Sequence, residues 1–328
     1  MIEPFNQGYI NVDTIHSIYF EESGNPNGIP IIRFHGGPGG RLKPKDREVF
    51  DSNKYRIILF AQRSCVGQPS CKSSIPLATN DLENALKGND PISIVHDAEK
   101  IRDYLNIDSF HVVGNSAGSF LALLYAIYFP SRVKSLTLLK FFLNRHSDFK
   151  WYLMGIGKFF PEVVQRFKNF VNERDDFKVF SKYYELLTSN NSKNIKGALR
   201  ELMILDSFSE LGLAGAVDIP DEDLNNKEIL NFYILFLYHS LNYQYPDNWF
   251  YQSEVKKILS KIETTIIHGR LDLNCPPDGV FLYKKHYPKT KIFMIEDSGH
   301  ILDPSGSFKK TTDEYFNKIL LNNEERNL

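Results

Sequence analysis

A chain of 328 residues, 42% hydrophobic and 24% charged, has the mix of a globular protein and the length of one large domain carrying an insertion. Its 39 basic and 40 acidic side chains nearly cancel, which leaves no electrostatic footprint for nucleic acid or an anionic membrane. Three cysteines (Cys65, Cys71 and Cys275) are too few for a disulfide framework, and no C-x-x-C or H-x-x-x-H cluster suggests a bound metal.

The first residues lack the basic and apolar regions of a secretion signal, so a cytoplasmic location is expected. Tyr9–Val12, Ile15–Glu21 and Ile31–His35 read as strands separated by turn signals such as Gly24-Asn25-Pro26-Asn27-Gly28. The basic run Arg41-Leu42-Lys43-Pro44-Lys45-Asp46-Arg47 reads as a solvated loop or helix start rather than a binding patch. Tyr55–Phe60 is a further strand, and Ile92–Leu105 has helical spacing. The almost uncharged run 110–130 could be scored as a membrane span, but His111, Asn115, Ser116 and two glycines interrupt it. A buried strand from Phe110, a sharp turn and a helix from Ala117 explain the same hydropathy. A strand at Ser135–Leu139 follows. Strands alternating with helices predict a mostly parallel sheet with helices on both faces.

Past about residue 145 the chain becomes rich in Phe, Tyr, Lys and Asn. Pro161–Asn172, Phe177–Leu187, Ile195–Phe208 and Lys227–Leu241 are predicted helices, with Ser189–Asn194 a polar linker. Strand character returns at Thr264–His268 and Lys291–Ile295, and the tail Asn322–Leu328 is expected to fray. The expected organisation is a discontinuous core, residues 1–145 and 251–328, interrupted by a helical cap at 146–250.

Gly114-Asn115-Ser116-Ala117-Gly118 reads G-x-S-x-G between the Phe110 strand and the Ala117 helix. That is the setting of a nucleophile elbow, whose tight turn tolerates no bulk at its flanking positions. A serine hydroxyl needs a base, and the base needs an acid to orient it, in the chain order Ser, acid, His. His300, in Asp297-Ser298-Gly299-His300, and Asp272, in His268-Gly269-Arg270-Leu271-Asp272, each follow a strand and fit that order. Asp278 and Asp297 are the competitors for the acid. His111, His268 and His286 read as structural or solvated. His35-Gly36-Gly37-Pro38-Gly39-Gly40 follows another strand and reads as an oxyanion loop. Its donors would be the N–H of Gly37, or of Gly36, together with that of Ala117. No G-K-[ST] follows, which argues against a phosphate loop.

These motifs together resemble the proline iminopeptidase family of the α/β-hydrolase fold. The matching stretches are HGGPGG at 35–40, FAQRSCVGQ at 60–68, IVHDAEKIRDYL at 94–105, VVGNSAGSFLALLYAIYFP at 112–130, and HGRLDLNCPP with DSGH near the C-terminus. They span most of the core and almost none of the cap. The resemblance implies hydrolysis of an N-terminal proline from peptides without metal or cofactor, with a triad of Ser116, Asp272 and His300. The chain departs from the family's pattern at Ala61, where an aspartate is usual, and at Ser64 and Val66, where glycines are usual. Asn115 stands for a glycine, and Ala117 for a tryptophan beside the nucleophile. The resemblance also implies cap acids that anchor the substrate's amino group. Asp206 is the one acid that aligns with such a role, its competing reading being a solvated helix-end residue. The segment Tyr233–Tyr243, where a second is expected, has none.

The expected function is a serine hydrolase that releases N-terminal proline, or another small residue, from peptides through an acyl-enzyme. Two alternatives use the same fold: an esterase or amidase acting on small acyl compounds with the same triad, and a non-catalytic ligand-binding homologue. The expected partner is a peptide or small acyl substrate.

Overall fold

A computed structural model of the chain describes residues 2–65, 82–212, 215 and 218–322. Cys71, the family-like residues 66–68 and the tail beyond 322 lie outside them.

Eight strands form one sheet: β1 (Pro4–Asn11), β2 (Ser17–Gly24), β3 (Ile29–Phe34), β4 (Tyr55–Phe60), β5 (Phe110–Asn115), β6 (Val133–Leu139), β7 (Glu263–Gly269) and β8 (Lys291–Ile295). Their spatial order is β1-β2-β4-β3-β5-β6-β7-β8. β1 and β2 pair antiparallel, as do β2 and β4, and every pairing from β4 to β8 is parallel. The central strands are buried on both faces, which is why they read as continuous apolar runs rather than alternating ones.

Helix α1 (Leu82–Leu86) precedes α2 (Pro91–Tyr104), and α3 (Ala117–Tyr128) follows β5. Asp90 caps α2 by accepting from the Ser93 N–H, and Pro91 occupies the first turn, where a missing N–H costs nothing. One apolar cluster joins α2 and α3 to one face of the sheet. A second fills the other face with Tyr19, Tyr55, Ile57, Leu59, Tyr315 and Phe316.

Between β6 and β7 the chain runs through α4 (His146–Lys150), α5 (Pro161–Phe170), α6 (Asp176–Leu187), α7 (Ser192–Leu211), α8 (Asp221–Leu224) and α9 (Lys227–Asn242). These helices share a core of their own, built on Phe167, Phe180, Tyr183, Leu202 and Leu205, which also takes in Cys65, Ala85 and Leu86 from before β5. The polar stretch expected as a linker at 189–194 is partly helical. Asn191 accepts from the N–H groups of Lys193 and Asn194 and so starts α7 early. Helix α10 (Ser253–Leu259) packs on α3 and leads into β7, α11 (Asp278–His286) joins β7 to β8, and α12 (Ser307–Glu314) packs against both strands.

The basic run at 41–47, expected as a solvated loop or helix start, turns through a short 3₁₀ helix at Pro44–Asp46, but its last arginine is not solvated. Arg47 is fully buried, and its Nε and Nη2 donate to the two oxygens of the buried Glu21 at 2.6 and 2.8 Å. Composition identified the charges, but the paired acid lies on a strand 26 residues earlier, beyond the reach of local pattern.

Candidate active site

Ser116 stands between β5 and α3 with φ 55° and ψ −127°, a left-handed conformation that a side chain adopts only when its surroundings impose it. The surroundings are tight. A Cβ on Gly118 would lie 2.2 Å from the Phe34 carbonyl oxygen, and one on Gly114 would lie 2.3 Å from the Gly118 carbonyl oxygen. The Ser116 N–H donates to Leu139 O at 2.9 Å, which pins the turn to β6.

Asp272 and His300 leave the carboxyl edges of β7 and β8 and converge on this turn. The Ser116 Oγ lies 3.2 Å from His300 Nε2, and His300 Nδ1 lies 2.8 Å from Asp272 Oδ2. The other Asp272 oxygen accepts the Cys275 N–H at 2.7 Å. Burial by itself would raise the Asp272 carboxyl. The charge and hydrogen bond of His300, the nearby His268 and the Cys275 N–H outweigh it and hold the group below its ordinary range. Asp278, a competitor for the acid, pairs instead with Arg145 at 3.2 Å. His268 is buried; its Nδ1 accepts the Phe141 N–H at 2.9 Å, and its Nε2 donates to Cys275 O at 2.9 Å. It therefore braces β7 and the acid's loop.

The glycine loop lies against the elbow. A Cβ on Gly36 would meet Asn115 O at 3.1 Å and Ser116 Cβ at 3.2 Å, and one on Gly40 would meet Gly36 O at 2.0 Å. His35 holds the loop: its Nδ1 donates to Gly36 O at 2.8 Å, and its Nε2 accepts the Gln62 N–H at 3.1 Å. Burial lowers the His35 ring to about 4, so it stays neutral and keeps one tautomer. Ala117 is the first residue of α3, where an N–H has no acceptor inside the helix.

A chamber of about 370 Å³ opens over Ser116, lined by the glycine loop from below and by α7 and α9 from above. Asp206 lies on its wall and accepts from Tyr152 OH at 2.6 Å and Tyr233 OH at 3.0 Å. Burial raises its carboxyl, and the two tyrosines and His300 pull against that. The α9 segment supplies no acid, but Glu210, one helical turn past Asp206 on α7, lines the same chamber. Burial and the neighbouring Asp206 push Glu210 up to about 8, against the pull of Lys140. Lys140, at the end of β6, is itself lowered by burial, with Asp272 and Glu210 acting to raise it. The sequence signals for Glu210 and Tyr233 were faint: an i, i+4 acidic pair, and a tyrosine in an apolar helix. Among the described residues, Asp272, Cys275 and His300 are the group whose possible metal-ligand atoms all lie within 4.8 Å of one another, but two of them are already bonded together.

The departures at 61–64 have local explanations. Ala61 is buried in the apolar layer. Ser64 takes φ 56°, the region that glycine enters freely, and its Oγ donates to Ala85 O at 2.7 Å.

The alpha/beta hydrolase fold family matches residues 29–302. The chain is 31% identical to a probable proline iminopeptidase of Leptolyngbya boryana, over 93% of this chain and 91% of that protein. It is 30% identical to a proline iminopeptidase of Xanthomonas citri, over 91% of this chain and 92% of that one. Among solved structures it resembles a proline iminopeptidase-related protein of Thermus thermophilus (TM-score 0.55, 16% identity, 94% of this chain and 96% of that one). It also resembles a bromoperoxidase of Bacillus anthracis (TM-score 0.59, 17% identity, 96% and 98%). At such identities the likeness speaks for the fold alone. With a fold match over most of its length and 30–31% identity to proline iminopeptidases across nearly the whole of both chains, this protein belongs to the proline iminopeptidase family of α/β-hydrolases.

Proposed function

We propose that this protein is a serine hydrolase that releases an N-terminal proline, or another small residue, from peptides. The observation that carries the reading is the chain of hydrogen bonds Ser116–His300–Asp272 opening into a chamber lined by two half-buried acids, Asp206 and Glu210. Ser116 Oγ attacks the scissile carbonyl and passes its proton to His300 Nε2, while Asp272 holds the imidazole and balances its charge. The N–H groups of Ala117 and of Gly37 or Gly36 stabilise the oxyanion. His300 then gives the proton to the departing amine, leaving the acyl group on Ser116. Water, deprotonated by His300, hydrolyses this ester and frees the amino acid. No step requires a metal or cofactor.

Asp206 and Glu210 bind the substrate's ammonium. An ammonium buried without a counter-charge is costly, so a free N-terminus gains most from this end of the chamber. In this reading residues 146–250 act as a cap over the core formed by 1–145 and 251–328. Among the described residues no helix is long and apolar enough to cross a membrane. We propose a cytoplasmic location, a reading supported by Cys65 and Cys275 as free thiols.

A second reading, an esterase or amidase on small acyl compounds, draws on the small Ala117 beside the nucleophile and on the raised Glu210, which is largely uncharged near neutrality. Both readings require Ser116. Intact-mass analysis after a fluorophosphonate should show one adduct on the native protein and none on Ser116→Ala, whose turnover should drop by about 10⁶-fold with the fold retained. A Ser116→Ala protein that keeps a few per cent of activity removes the serine from the mechanism.

A further inference from the structure

The chamber has a second polar end that the chemistry above does not use. Helix α9 roofs it with Phe232, Leu235, Phe236, His239 and Ser240, the i, i+3, i+4, i+7, i+8 stripe of one helical face. Tyr233, which holds Asp206, and His239 are six residues apart, about 9 Å along the helix axis. Below the stripe, a Cβ on Gly39 would lie 2.8 Å from Phe232 O, so the glycine loop packs beside the near half of α9. An acyl residue whose ammonium lies at Asp206 and whose carbonyl lies at Ser116 thus leaves the His239 end for whatever departs.

Among the described residues, Asn89, His239 and Ser240 give that end its polar groups, and none of them is a cation. Asn89 Nδ2 donates to Arg63 O at 3.2 Å, which turns its Oδ1 toward His239 Nε2 at 3.0 Å. His239 must therefore carry its proton on Nε2. Nδ1 is left as an acceptor, with no partner among the described residues. Burial lowers the ring to about 4, and the one charge that acts on it is the carboxylate of Asp90. Arg63, whose backbone oxygen holds Asn89 and which itself lines the chamber, has its guanidinium committed to Asp97 at 2.6 and 2.8 Å, to Asp13 at 2.9 Å and to Gly88 O at 2.7 Å. A carboxylate brought here would be desolvated beside Asp90 with nothing to pair it.

We propose that the α2–α9 end of the chamber is the leaving-group subsite, and that His239, oriented by Asn89, selects departing groups that offer an N–H donor and rejects those that carry a carboxylate one residue from the scissile bond. Peptides of three or more residues and dipeptide amides fit this demand, and free dipeptides do not. The inference rests on the peptidase reading for its direction.

The test compares prolyl-alanine with prolyl-alaninamide, which share the acyl residue and the leaving side chain. The native enzyme should favour the amide by 10-fold or more in kcat/KM. Ser240→Arg places a cation at this end and should raise hydrolysis of the free dipeptide, narrowing the ratio at least 5-fold. His239→Phe should lower hydrolysis of the amide alone. Equal rates on the two substrates, or variants that shift both by one factor, overturn the proposal. If neither prolyl substrate is cleaved and simple esters are, the peptidase reading fails on its own. The pair O-acetyl-lactate and O-acetyl-lactamide then decides the subsite by the same ratio.

Discussion

Single residues set the electrostatics of this chamber, and Glu210 is the one that most changes the reading. The family resemblance directed attention to Asp206 and to α9, where no second acid occurs. Another acid, Glu210, stands one turn further along α7, visible in the sequence only as an i, i+4 pair. With both carboxylates present, Asp206→Asn and Glu210→Gln should each raise KM for free-amine substrates by roughly 10-fold, about 1.4 kcal/mol, and leave small-ester hydrolysis nearly unchanged. A parallel loss on both substrate types would make the two acids structural. The raised Glu210 also has a signature in stability. Its folded value of about 8 lies above that of an unfolded chain, so its contribution is full below the ordinary glutamate range and is lost as pH rises toward 8. Thermal melts of the substrate-free protein should show Glu210→Gln gaining on the native chain across that window and matching it near pH 4. A constant difference at all pH values would contradict the shift.

At the scale of elements, the strands and helices that carry the chemistry were legible, because their signals are local. β5, the elbow and α3 announce themselves by an apolar run, glycines at fixed offsets and a second apolar run. Asp272 and His300 each follow an apolar strand within a few residues. What local pattern could not supply was pairing over distance. Arg47 with Glu21, Tyr152 and Tyr233 with Asp206, and Asn89 with His239 each join residues far apart in the chain. The elbow itself makes a sharp prediction. Gly118→Ala places a methyl group 2.2 Å from a backbone oxygen of β3, which cannot rotate away. The cost should be about 3 kcal/mol, with a fall in melting temperature of roughly 5 °C or more and loss of turnover. A variant with native stability and activity would show that α3 can slide on the sheet.

Across the whole molecule, the sheet brings Ser116, Asp272 and His300 to one edge, and α7 and α9 line the chamber beside them. The two parts touch near the chemistry: Ile301 N–H donates to Glu210 O at 3.5 Å, and Trp151 Nε1 donates to Leu273 O at 2.7 Å. The antiparallel edge is tied to the loop before β4 by the buried Arg47–Glu21 pair. Arg47→Met should therefore cost about 3–5 kcal/mol by taking the guanidinium away from a buried carboxylate, whereas the double variant with Glu21→Leu should recover much of the loss. Chemical denaturation of the three proteins checks this, and a single variant as stable as the native chain contradicts it. The central claim is that this edge hydrolyses acyl bonds next to a free amine. The most direct measurement is kcat/KM for prolyl 4-nitroanilide against N-acetyl-prolyl 4-nitroanilide on the native enzyme. The account predicts at least a 100-fold preference for the free amine, abolished with all turnover in Ser116→Ala; equal rates, or a preference for the acetylated substrate, would contradict it.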